Sequence, residues 1–185
     1  MQDLIDRLKA KGIKFEKGMS QAEIKRAEDA YGIKFPAEIK EFLSYGVPVN
    51  CGFYNWRDCS ECGTNKIKSF QEDIEKAFEF DFDNNRLSSC FKNVFPNIEN
   101  EEELRKKIMD YLHSSPRLIP FYYHRCFFDG IDNMPIISFV QPIDSIFYGS
   151  DFKNYIENEF LRPEEYNVGE ISYEFEKTGI WKELI

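Results

Sequence analysis

Apolar residues recur at helical spacing through the first two thirds of the chain and give way to β-branched and aromatic runs after it. Leu4, Ile5 and Leu8 share one face at spacings of three and four, which predicts a helix over 2–11 closed by Gly12. Ser20-Gln-Ala-Glu23 has the capping-box pattern, in which a hydroxyl and a carboxylate satisfy the free amides of a helix start. The helix it opens runs to Ala30 or Tyr31 and ends at Gly32. Pro36 suits a first helical turn; Phe35, Ile39, Phe42 and Leu43 mark the buried side, and Gly46 and Pro48 stop the helix. Residues 49–65 read as loop and short strand. Phe70, Ile74, Ala77 and Phe78 predict a helix over 68–79, and FDFDNNRLSS reads as a turn-rich break. Asn100 followed by three glutamates is a strong helix start, with acids at the positive end of the dipole. That helix carries Leu104, Ile108, Tyr111 and Leu112 and stops before Pro116.

LIPFYYHRCFF, PIISFV and DSIFYG then read as strands separated by turn residues. Asp151 caps a last major helix, FKNYIENEFL, ended by Pro163. The tail EISYEFEKTGIWKELI reads as a strand and a short terminal helix. There is no internal repeat and no linker. Helices first, then strands, then a helix argue for an α+β fold in one domain, residues 1–185.

Composition narrows the function classes. With 42% hydrophobic and 31% charged residues the chain is expected to be folded and soluble. Eighteen phenylalanines and ten tyrosines imply an aromatic core. The net charge of −9 disfavours a polyanion, so nucleic acid is a poor partner and a basic protein a better one; an acidic surface is also an ordinary route to solubility. MQDLIDRLKAKG is charged throughout, and no apolar run approaches the roughly 18 residues that span a bilayer. Five unevenly spread cysteines fit free thiols in a reducing cytoplasm, with no membrane association.

Three constellations could carry chemistry. Cys59-Ser-Glu-Cys62 has metal-knuckle and redox spacing, and Cys51 could be a third ligand, but nothing nearby supplies a fourth and no strand–helix unit frames a redox pair; incidental thiols are the simpler reading. Asp81-Phe-Asp83-Asn-Asn85 opens like a calcium loop, yet Arg86 and Lys92 occupy the positions that need glycine and glutamate, so a solvated turn is expected. His124 and Cys126 lie two residues apart on an expected strand, facing one side with Cα atoms about 6.5 Å apart. A nucleophile–base pair needs hydrogen-bond contact and an orienting group, and the sequence signals neither. No catalytic motif, metal site or cofactor is implied, and the chain is read as a non-enzyme; a cysteine enzyme stands as the third reading.

MSQAEIKRAEDAYGIKFPAEIKEFLSYG (19–46), the aromatic element Phe53-Tyr-Asn-Trp-Arg-Asp58, and SPRLIPFYYHRCFF with MPIISFVQPIDSIFYGSDFKNYIENEF (115–160) together resemble the SUKH superfamily, in its Smi/Knr branch. GIWKELI is similar to that branch's closing tryptophan segment. Residues 59–98 match poorly, and Cys126 stands where the branch often has tyrosine. The resemblance implies N-terminal helices packed on a mostly antiparallel, mixed sheet. It also implies a bacterial immunity protein that binds and neutralises a toxin domain, possibly a nuclease. Tyr54, Trp56 and Arg57 are residue types enriched at interface hot spots, although Trp56 could instead anchor its loop in the core. The alternative is a small-ligand or peptide sensor with a cleft lined by Trp56, His124, Arg125 and Tyr148. Partner-binding residues are therefore expected among Tyr54, Trp56, Arg57, His124, Arg125 and Tyr148.

Overall fold

A computed structural model describes residues 1–171 and 175–185, with the side chains of 175 and 176 outside the description. The fold is α+β. Four strands, β3 (Leu118–Tyr122), β4 (Arg125–Phe128), β5 (Ile136–Phe139) and β6 (Ser145–Gly149), form an antiparallel sheet in sequence order. A second sheet pairs β1 (Phe15–Lys17) with β2 (Gly46–Pro48), Phe15 opposite Pro48. Both sheets are wholly antiparallel among the described residues, so the mixed component expected from the resemblance is absent there.

Alternation along the strands sends side chains to two different cores. Ile119, Phe121, Phe127 and Ile136 join an apolar cluster with α1 (Gln2–Ala10), α2 (Gln21–Tyr31), α3 (Ala37–Tyr45) and α7 (Phe152–Ile156). Leu118, Cys126, Phe128, Ile137 and Phe139 face the other way, against α4 (Glu61–Asp83), α5 (Ser88–Phe91) and α6 (Glu101–Ser114). A sheet covered on both faces needs apolar residues at successive positions, which is why these strands read as continuous runs. Phe121 meets Phe42, Phe152 and Phe53 edge-on at centroid distances of 5.1 to 5.7 Å.

The helix ends follow the capping chemistry. Ser20 and Glu23 complete the box at α2, and Gly32 closes that helix in the left-handed region at φ 63°. Asn100 accepts from Glu103 N–H at α6, and Asp151 from Asn154 N–H at α7. Glu28 is buried near the end of α2, where it accepts from Phe35 N–H at 3.0 Å and pairs with Lys40 at 3.1 Å.

Several expectations fail for identifiable reasons. The helix expected over 68–79 runs from Glu61 to Asp83, absorbing the first four residues of the supposed break and the last five of the supposed loop. Ser60 starts it by accepting from Gly63 N–H, and Phe78 and Phe82 hold its far end in the core. Asp81 is not a solvated turn residue: it is fully buried on α4, with Arg86 3.6 Å away. LIPFYYHRCFF is a hairpin, not one strand, since Tyr122 pairs with Arg125 across the two-residue connection Tyr123–His124. FKNYIENEFL changes after Ile156 into a π turn over Glu157–Leu161. The strand expected in the tail falls on residues that include 172–174, outside the described ones. The terminal segment Phe175–Glu183 is 3-10 helical with a break at Gly179, and Trp181 there donates to Pro116 C=O at 2.8 Å.

Phe121, central to the first core, gives a direct test of this packing. Phe121→Ala is expected to cost about 3–5 kcal/mol in chemical denaturation, the usual cost of emptying a buried aromatic site.

Candidate functional site

The six residues expected to meet a partner separate into four kinds of place. Trp56 is 1% exposed and belongs to the core, with Phe35 and Tyr31 edge-on at 5.0 and 5.2 Å. Of its two readings, the structure carries the packing one. Arg57 works as a clamp: its guanidinium binds Glu23 at 3.1 Å and Glu16 at 3.6 Å, and donates to Lys17 C=O. It thus ties the 51–60 loop to the capped start of α2. Hydrogen bonds from Ser20 backbone and hydroxyl, then from Arg57, pull the Glu23 carboxyl down to about 2.

His124, Arg125 and Tyr148 do come together. Arg125 lies on the first-core face of β4, opposite Ser138. It donates to Glu159 on the π turn at 2.9 Å, to Ser138 Oγ at 2.7 Å and to the His124 ring, and its guanidinium lies 3.7 Å from the centre of the Tyr148 ring. Burial, then the neighbouring Arg125 charge, hold His124 below its ordinary range, so the imidazole is the neutral acceptor for Arg125. The Nε and one terminal nitrogen of Arg125 are already engaged inside the protein. Its first duty is to fasten the π turn to the sheet. Trp56 points into the core and so lines no surface cleft with this trio.

The His124–Cys126 pair is not a nucleophile and base. Cys126 is buried, its sulfur lies 3.5 Å from the His124 carbonyl oxygen, and burial pushes its thiol well up. Among the described residues no three His, Cys, Asp or Glu side chains are placed to hold a metal ion, so Cys51, Cys59 and Cys62 do not converge. Cys59 and Cys62 flank Ser60, the cap of α4.

An open groove of about 850 Å³ lies where the 52–54 segment, the start of α4 and the β3–β4 connection meet. Of the six expected residues only Tyr54 lines it. Phe53 and Tyr123 complete its aromatic walls, while Glu61, Cys62, Asn65, Lys66 and Ser69 come from one stripe of α4. Tyr54 is backed by Trp56, stacked at 6.0 Å, and Phe53 by Phe160, stacked at 5.5 Å. Tyr123 is 52% exposed and sits at φ 46°, where hairpin turns ordinarily place glycine, asparagine or aspartate. Its N–H donates to Gly52 C=O at 2.9 Å, and its hydroxyl lies 3.6 Å from Cys51 Sγ. Gly52, at φ 101°, has no room for a side chain beneath the Tyr122 and Tyr123 rings.

The same outward stripe of α4 continues into an acidic ridge. Glu72, Asp73, Glu75, Glu79 and Asp83 follow with a single lysine, Lys76. Arg105 of α6 binds Glu79 at 2.9 Å and also Asp83, drawing in Glu101 and Glu102 at the mouth of a small pocket. No helix among the described residues is long and apolar enough to cross a membrane. Comparison with protein-family models, curated proteins and solved structures finds no match.

Two outcomes follow from this geometry. The folded Glu23 carboxyl titrates near 2 against an ordinary 4.5. Its stabilising contribution is therefore complete above the ordinary value and lost as pH falls through that interval. Glu23→Gln should flatten this part of the stability–pH profile measured by denaturation; an unchanged profile would contradict the clamp. Arg125→Met leaves Glu159 unpaired and should cost about 3 kcal/mol, as for other buried pairs that lose one partner.

Proposed function

We propose that this chain is a cytoplasmic, non-enzymatic immunity protein that binds a basic toxin domain and blocks it. The observation that carries the reading is the acidic ridge. The net charge of −9 is not spread evenly: carboxylates line the outer face of α4 and the first turn of α6 over a span of helix. From Glu72 to Asp83 that span is about 17 Å at 1.5 Å per residue. A surface of one sign accelerates encounter with a partner of the other sign, and the gain falls with ionic strength. The resemblance of 19–46 and 115–160 to Smi/Knr-type immunity proteins supports the same reading. The rigid support of the ridge suits it too, because Phe78, Phe82 and Ile74 lock the inner side of α4 into the second core.

The test is co-expression with the toxin-like reading frame beside its gene. A stable complex should form and toxin-expressing cells should survive. The double substitution Glu72→Lys/Asp73→Lys, on exposed mid-helix positions, should slow association about tenfold at low salt and leave thermal stability nearly unchanged. No complex and no rescue would overturn the reading; a complex indifferent to both salt and charge reversal would remove the ridge from it.

A further inference from the structure

The groove at the start of α4 supports a different function, independent of the toxin reading. Its volume of about 850 Å³ falls within the range of small-molecule sites. We propose that it binds a small planar aromatic carboxylate, the ring against Tyr54 and Tyr123 and the carboxylate on Lys66.

The aromatic half of the argument rests on Tyr123. A bulky residue at φ 46° costs conformational energy that glycine would avoid, and backbone strain of this kind gathers at ligand sites. The ring does little for the core, being 52% exposed. It stands instead over Gly52 at the lip of the groove, across from α4. Tyr54 is stiffened from behind by Trp56, so the walls are pre-set for a flat ring rather than collapsed on one another.

The charge half rests on α4. Glu61 lines the groove at the first position of the helix, where the free amides and the dipole already offset its charge. Lys66 lies five residues on, and no carboxylate among the described residues stands within 4.0 Å of its ammonium. Asp58 feels Lys66 only at longer range, after two hydrogen bonds from Ser60. Asn65 and Ser69 flank Lys66 on the same stripe, and neither side chain bonds to a described residue. Asn65, Lys66 and Ser69 therefore offer donors across from the aromatic wall, and the Lys66 charge is held in no ion pair among the described residues. The −9 of the whole chain repels a polyanion at long range, which selects a small monoanion over nucleic acid.

Cys62 in the groove and Cys90 outside it are both exposed, so they give a built-in readout. The full chain is titrated with 1-naphthoate, its neutral amide, and cyclohexanecarboxylate, and iodoacetamide labelling of each thiol is followed by mass spectrometry. Millimolar naphthoate should slow Cys62 labelling several-fold with Cys90 unchanged. The amide and the non-aromatic acid should bind about tenfold more weakly, the worth of one charge-assisted or stacking contact. Lys66→Met should erase the preference for acid over amide. Tyr123→Gly should lose binding while raising the melting temperature, since it relieves the turn. No protection of Cys62, equal binding of acid and amide, or an indifferent Lys66→Met would overturn the proposal. None of these readouts involves a toxin, so this failure and that of the immunity reading are separable.

Discussion

The sheet is covered on both faces along β3, β4 and β5, and much of the molecule follows from that. β3, β4 and β5 supply apolar side chains to two cores in alternation, which leaves few interior positions for polar chemistry; Ser138 of β5, bonded to Arg125, is one. Cys126 shows the consequence. A thiol that the sequence places beside a histidine ends under the second helical layer, and its neighbour turns out of the strand altogether. What remains accessible is the ends of the strands and the outer faces of the covering helices. The groove forms at one such strand end, and the acidic ridge on one such helix.

The edges of the sheet are partly covered, at Tyr122 by an antiparallel bridge to Phe53 and elsewhere by side chains. Gln71 caps the Leu118 carbonyl at 2.6 Å on one side, and Tyr166 and Asn158 cap those of Phe147 and Tyr148 at 3.1 Å on the other. Exposed strand edges invite association, so this partial cover favours side-chain surfaces as the places where partners are chosen. Arg125 belongs to the same economy. Its contacts with Glu159, Ser138, His124 and Tyr148 hold the π turn over the sheet, so a residue that reads as a binding arginine is spent on architecture.

The α+β order, the caps at Ser20, Asn100 and Asp151 and the stop at Gly32 were legible because each is a local chemical pattern confined to a few residues. The hairpin was not, because Tyr123 and His124 carry none of the glycine or asparagine that marks a two-residue turn. The reach of α4 was hidden at both ends. Its start lies inside a Cys-x-x-Cys spacing, and its last turn alternates Phe80, Asp81, Phe82, Asp83 like a strand or a loop. Strands of three residues, β1 and β2, are too short to show a period. The site was the least legible part. Residue type points to Tyr54, but beyond its neighbours Gly52 and Phe53 its companions come from 61–69 and 123, and only the folded chain brings them together. Trp56 and Arg57 were flagged by the same chemistry that makes them good internal anchors, which residue type alone does not separate from an interface.

The proposed immunity role puts the partner on the outer stripe of α4. Amide hydrogen exchange of the chain, free and saturated with a toxin domain that it captures on co-expression, tests that placement. New protection is expected to concentrate on Glu61–Asp83 and the first turn of α6. Protection confined to α1, α2 and the β1–β2 sheet, with α4 unchanged, would contradict it.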